Sequence, residues 1–373
     1  MFVRRMMVLW LCLWGGLVAC GQPLPPVVTP LVSPVAVAVL PTVTETAAAT
    51  LTLPLTPTPT VEVRVAAATA TDTPSPSPTP TPSATPDLYS LYTIQSLAAR
   101  AYGGGELEIV DIIEEDETHK QYVFTYPSDG LTIYGYMSVP TEGDSFPVAI
   151  VAHGYIPPEE YEIIAYTRRY VDALVEAGYF VFHPNLRNFP PSDNADNPFR
   201  VGYAVDLLNL IAIIKEQSQD PHGILRRAQG DFIHLMGHSM GGGAALRAVT
   251  IWPEAVQAVV LYGSMSGDEA LNYQQIQQWT NGRSGSFELN APPEILAAIS
   301  PSFNLDRLQV PVSIHHSLAD QTVPYAWSEQ LCADLEAINH PVECFMYEGV
   351  PHTFRGYADT LFIERMIDFF RRY

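Results

Sequence analysis

The 373-residue chain carries 40 acidic against 19 basic side chains, a formal net charge of −21, which argues against nucleic acid as a partner because phosphates would be repelled. Only five acidic and four basic residues fall within positions 1–106, so nearly all the excess acidity belongs to positions 107–373. Four cysteines, two of them in the first 20 residues, exclude a disulfide-dense scaffold, and their spacing offers no zinc site.

Positions 1–21 read as an export signal: Arg4 and Arg5, an apolar run over 6–18, then Leu17-Val18-Ala19-Cys20-Gly21. The run is shorter than the roughly 20 apolar residues of a membrane span, so removal is expected rather than retention. The pentapeptide resembles the lipobox of bacterial lipoproteins. That resemblance implies an acylated Cys20 as the first mature residue, with the chain exported and anchored on the outer side of a cytoplasmic membrane. The alternative is an ordinary secretory signal.

Residues 21–105 are rich in Pro, Thr, Ala, Val and Ser and poor in charge and aromatics. Such a segment buries too little apolar area to offset its ordering entropy and reads as an extended tether. One globular domain is expected over 106–373.

Within it, runs at 107–113, 121–126 and 131–139 predict antiparallel strands, with Pro127-Ser128-Asp129-Gly130 as a turn. From 148 onward short apolar runs alternate with amphipathic stretches. Strands are predicted at 148–152, 179–182, 232–236, 256–261, 310–315 and 342–347, and helices at 163–177, 202–217, 241–251, 325–338 and 358–372. The rhythm predicts an α/β fold with a mainly parallel central sheet. It is interrupted over about 264–300 by a polar stretch of low periodicity, expected to be a cap over the site.

Gly237-His238-Ser239-Met240-Gly241 lies where a predicted strand meets a predicted helix, the context a nucleophile elbow requires. Small residues two positions either side of Ser239 let strand and helix approach, and Met240 N–H is expected to be one oxyanion donor. A serine needs a histidine to take its proton and a carboxylate to orient that histidine. Asp320, in the loop after strand 310–315, and His352, in the loop after strand 342–347, supply both in the chain order of this fold. Tyr155 N–H, in His153-Gly154-Tyr155, is the second oxyanion candidate. His238 is expected to pack or hydrogen-bond with its side chain turned from that of Ser239, and His315 and His316 to pack at a strand end.

Together with Ser300-Pro301 and Val310-Pro311-Val312, these motifs resemble the catalytic domain of the prolyl oligopeptidase family and, more loosely, dienelactone hydrolases and acetyl esterases, over about 122–373. The resemblance implies an α/β-hydrolase fold and acyl transfer to water through Ser239, Asp320 and His352. The expected function is a serine hydrolase cleaving ester or peptide bonds, most like a prolyl oligopeptidase-type serine peptidase, with a carboxylesterase as the alternative and a non-catalytic binding protein ranked last. No metal or organic cofactor is implied. The sequence leaves open whether Cys332 and Cys344 are bonded.

Overall fold

The computed structural model describes residues 88–373, except 116 and 164–165. The export signal, Cys20 and positions 21–87 of the expected tether lie outside the described residues.

Ordered structure begins ahead of the expected boundary at 106. Helix α1 (Ile94–Ala98) starts at Thr93, whose hydroxyl accepts the Ser96 amide at 3.2 Å. Ile94 and Leu97, three apart on one face, both enter the main core. Residues 94–98 therefore belong to the core and not to the segment expected over 21–105.

Strands β1 (Glu108–Glu115), β2 (His119–Ser128) and β3 (Leu131–Pro140) form an antiparallel meander. The β2–β3 turn is Asp129-Gly130, both at positive φ (52° and 82°), which matches the twist of a two-residue hairpin. The chain continues as β4 (Phe146–Ala152), α2 (Arg168–Glu176), β5 (Phe180–Pro184), α3 (Val201–Gln217), β6 (Ala228–His238), α4 (Met240–Ile251) and β7 (Ala258–Tyr262). After an insertion come β8 (Val312–Ser317), α8 (Ala326–Ala337), β9 (Val342–Tyr347) and α9 (Tyr357–Arg372).

The nine strands lie in the order β1-β2-β3-β5-β4-β6-β7-β8-β9, and the six from β5 to β9 in that order are mutually parallel. The chain leaves β4 toward β5 on one side and returns to β6 on the other. The carboxyl ends of β4 and β6 therefore flank a topological switch point, where open α/β sheets leave a crevice. Alternate strand residues feed two cores: Val148, Ile150, Val259 and Leu261 face α3, α4 and α8, whereas Ala149, Val151, Val260 and Tyr262 face α2 and α9. This period of two on strands covered on both faces explains their unbroken apolar runs.

The insertion of low periodicity is helical: α5 (Glu269–Trp279), α6 (Ser286–Leu289) and α7 (Pro293–Ile299). Its helical period was hidden because the buried face of α5 consists of Glu269, Asn272 and Tyr273 rather than aliphatic residues. Glu269 is held by Arg247 at 2.5 Å and Arg200 at 2.9 Å, so an ion cluster substitutes for apolar contact.

Two further ties position the loops. Arg187, after β5, bonds the buried Asp206 of α3 at 2.8 Å, and Ser128 of β2 donates to the same carboxylate at 2.6 Å. Cys332 of α8 and Cys344 of β9 are disulfide-bonded, which resolves the pairing left open by the sequence.

Candidate active site

Ser239 occupies the residue between β6 and α4 at φ 55° and ψ −116°, a conformation disfavoured for a residue with a Cβ. Its backbone is held on three sides: its amide donates to Tyr262 O at 2.8 Å, and its carbonyl accepts the amides of Gly242 at 3.0 Å and Met265 at 3.1 Å. The flanking glycines are required by contact. A Cβ on Gly241 would overlap the carbonyl of Ala152 and lie 2.6 Å from that of His153, and one on Gly237 would lie 2.7 Å from the Gly242 Cα. The sequence expectation of small residues around Ser239 is thus met by backbone running against backbone.

The loop after β4 reaches the nucleophile. A Cβ on Gly154, the residue before Tyr155, would lie 3.1 Å from that of Ser239. Among the described residues no acceptor bonds Tyr155 N–H or Met240 N–H, leaving both amides available. The Tyr155 side chain is exposed, with its ring edge on Phe189. His153 is buried with its ring nitrogens 2.7 Å from Gly154 O and 2.6 Å from Asn185 O, shaping the loop, and burial lowers its pKa.

Asp320 and His352 come together as expected, His352 Nδ1 lying 2.5 Å from Asp320 Oδ2. They stand against β7 because residue 263 is glycine: a Cβ there would lie 3.1 Å from His352 Cε1. The Asp320 side chain is fully buried, and its Oδ1 accepts the amides of Thr322 at 2.8 Å and Val323 at 2.9 Å. Burial alone would raise its pKa, but hydrogen bonds from His316, His352 and Val323 prevail and hold the carboxyl well below its ordinary range. A cavity of about 580 Å³, lined by Gln321, Thr322, Val350, Pro351, His352 and Arg355, opens beside the pair. A second of about 600 Å³, near Tyr102 and Trp252, touches none of these residues.

Three residues have more part in the site than their sequence context indicated. The His238 ring packs against His352 with centroids 4.7 Å apart, and its Nδ1 is 2.8 Å from the hydroxyl of Tyr166. It packs and hydrogen-bonds as expected, yet against the candidate base. Tyr166 in turn accepts the Gly154 amide at 2.6 Å, a role no motif signalled. His315 and His316 are both buried at a strand end, and His316 Nε2 also lies 3.1 Å from Asp320 Oδ2.

The sequence of residues 133–373, more than half the chain, matches the dienelactone hydrolase family. The chain belongs to that family. No curated relative matches this dienelactone hydrolase-family chain. Among solved structures it is similar to acetyl xylan esterase 1 from Thermoanaerobacterium sp. JW/SL YS485, with TM-score 0.55 and 17% identity over 75% of this chain and 93% of the esterase. It is also similar to an acylaminoacyl peptidase from Pyrococcus horikoshii, with TM-score 0.52 and 19% identity over 68% of this chain and 41% of the peptidase. At these identities the likeness concerns the fold, which is that of an α/β hydrolase, and the family makes the chain an enzyme of hydrolase type.

Proposed function

We propose that the chain is a serine hydrolase in which Ser239 is the nucleophile, His352 the general base and Asp320 the carboxylate that orients it. Ser239 Oγ attacks the substrate carbonyl as its proton passes to His352 Nε2. The amides of Met240 and Tyr155 receive the developing oxyanion, and His352 returns the proton to the leaving group. Water, activated by His352, then cleaves the acyl-enzyme and regenerates the serine. The observation that carries this reading is the 2.5 Å contact between His352 Nδ1 and Asp320 Oδ2, against the glycine next to the residue that binds the Ser239 amide. That contact leaves Nε2 as the ring nitrogen free to serve the serine.

An ester substrate is favoured over a peptide because the domain corresponds to 93% of the acetyl xylan esterase but to 41% of the acylaminoacyl peptidase. The test is a panel of p-nitrophenyl esters beside aminoacyl p-nitroanilides, with wild type and Ser239→Ala. Serine-dependent turnover of esters alone supports the esterase, serine-dependent turnover of anilides supports a peptidase, and activity surviving in Ser239→Ala removes the mechanism.

We further propose that the chain is exported and anchored through an acylated Cys20, with the Pro/Thr-rich segment as spacer. The Cys332–Cys344 disulfide supports an oxidising compartment. Cys20→Ser should move the protein from the membrane fraction to the soluble one, and unchanged fractionation would remove the anchor.

A further inference from the structure

The candidate acid is bonded by two imidazoles, not one. Oδ2 of Asp320 lies 2.5 Å from His352 Nδ1 and 3.1 Å from His316 Nε2, while Oδ1 is taken up by two backbone amides. Hydrogen-bond chemistry assigns the His316 tautomer. Its Nε2 faces two acceptors, Asp320 Oδ2 and Val323 O at 3.2 Å, so Nε2 carries the proton. Its Nδ1 then accepts from the hydroxyl of Ser328, in α8, at 2.7 Å. His316 is fully buried, so this ring has neither water to compete for its proton nor room to turn.

We propose that His316 is a positioning residue for hydrolysis: through Nε2–H it fixes the Asp320 carboxylate that orients His352 and takes up part of its negative charge. This rests on the assignment of Ser239, Asp320 and His352 made above. The relay runs from the Ser328 hydroxyl to His316 Nδ1, and from His316 Nε2 to the oxygen that His352 also uses. A hydrogen bond donated into a carboxylate lowers its power to stabilise a neighbouring imidazolium. Loss of the His316 hydrogen bond would therefore return that charge to the carboxylate oxygen that meets His352.

Other charged and titratable groups around the pair have their own partners or stand apart. His238 lies against His352 and is kept neutral by burial, then by the neighbouring His352. Arg169 pairs with Asp359 at 2.7 Å. His315 is 2.9 Å from both Ser313 Oγ and Tyr347 Oη, and Arg365 lies over the Tyr347 ring. Arg355 lines the cavity beside His352. Substitution at His316 leaves each of these in place.

The test uses the full chain and a fluorophosphonate probe, so that no natural substrate has to be known. The Oγ–P bond forms as the P–F bond breaks, fluoride leaves, and the Oγ proton passes to His352. Rate constants for labelling are measured from about pH 5 to 9 for wild type, His316→Met, His316→Gln, Ser328→Ala and Ser239→Ala, with thermal melts for each. His316→Met should label about tenfold more slowly near neutral pH and move the acid limb upward by about half a unit or more. His316→Gln, whose amide can donate from the position of Nε2, should restore the wild-type limb, and Ser328→Ala should shift it part of the way in the same direction. A folded His316→Met with an unmoved or lowered limb overturns the proposal, as does a His316→Gln limb displaced as far as that of His316→Met. If His316→Met does not fold, an unmoved limb in Ser328→Ala overturns it. Undiminished labelling of Ser239→Ala is a separate result and defeats the underlying assignment instead.

Discussion

The amide of Phe354, two residues past His352, donates its hydrogen bond to the hydroxyl of Tyr262 at the end of β7. The Tyr262 carbonyl meanwhile accepts the amide of Ser239, so one residue bonds both the loop of the candidate base and the candidate nucleophile. Its ring is fully buried between those of His238, Phe354 and Phe362, which fixes the hydroxyl without backbone strain.

Tyr262→Phe should therefore keep the ring packing and orphan one buried amide. The expected cost is about 1–3 kcal/mol in urea unfolding. A looser His352 loop should also lower kcat by about tenfold with KM little changed. A fall in KM-linked binding alone would show that the bond does not position the base.

Asp320 makes stability depend on pH in a defined direction. Its folded carboxyl titrates well below its unfolded value of about 3.9, so the ionised form contributes stability in full above that value. The contribution is lost as pH falls from there toward the lowered folded value. The gap in urea midpoint between wild type and Asp320→Asn should be wide near pH 6 and narrow near pH 2. Asp320→Asn should also reduce kcat by about 10⁴, the size of effect seen when a triad histidine loses its orienting carboxylate.

The Cys332–Cys344 bridge closes a short loop between α8 and β9, 12 positions apart. Reduction, or the double substitution to alanine, should cost about 2–3 kcal/mol and lower Tm accordingly. Because α8 follows the Asp320 loop and β9 precedes the His352 loop, loss of activity should accompany the loss of stability on titration with dithiothreitol.

Arg187→Met leaves Asp206 as a buried carboxylate without its cation, which should destabilise by about 3–5 kcal/mol. The double variant Arg187→Met, Asp206→Leu should recover much of that loss. Chemical denaturation of the two proteins side by side measures both.

The sequence alone was sufficient for the alternation of strands and helices, because strands covered on both faces must be apolar throughout and those runs stand out. It was sufficient for Gly237, Ser239 and Gly241 as well, because a turn in which backbone meets backbone tolerates only hydrogen at the two flanking positions. Asp320 and His352 were legible from their place after late strands, since the carboxyl ends of parallel strands converge on one edge of the sheet. What the linear chain did not carry was contact across it. Helix α1, only five residues long, is too short to show an apolar period, and α5 was concealed by a buried face of Glu269, Asn272 and Tyr273 that carries none. Tyr166 and His316 belong to no motif. Their part in the site arises only when folding brings the Tyr166 hydroxyl to the Gly154 amide and the His316 ring to Asp320, where burial makes each hydrogen bond decisive.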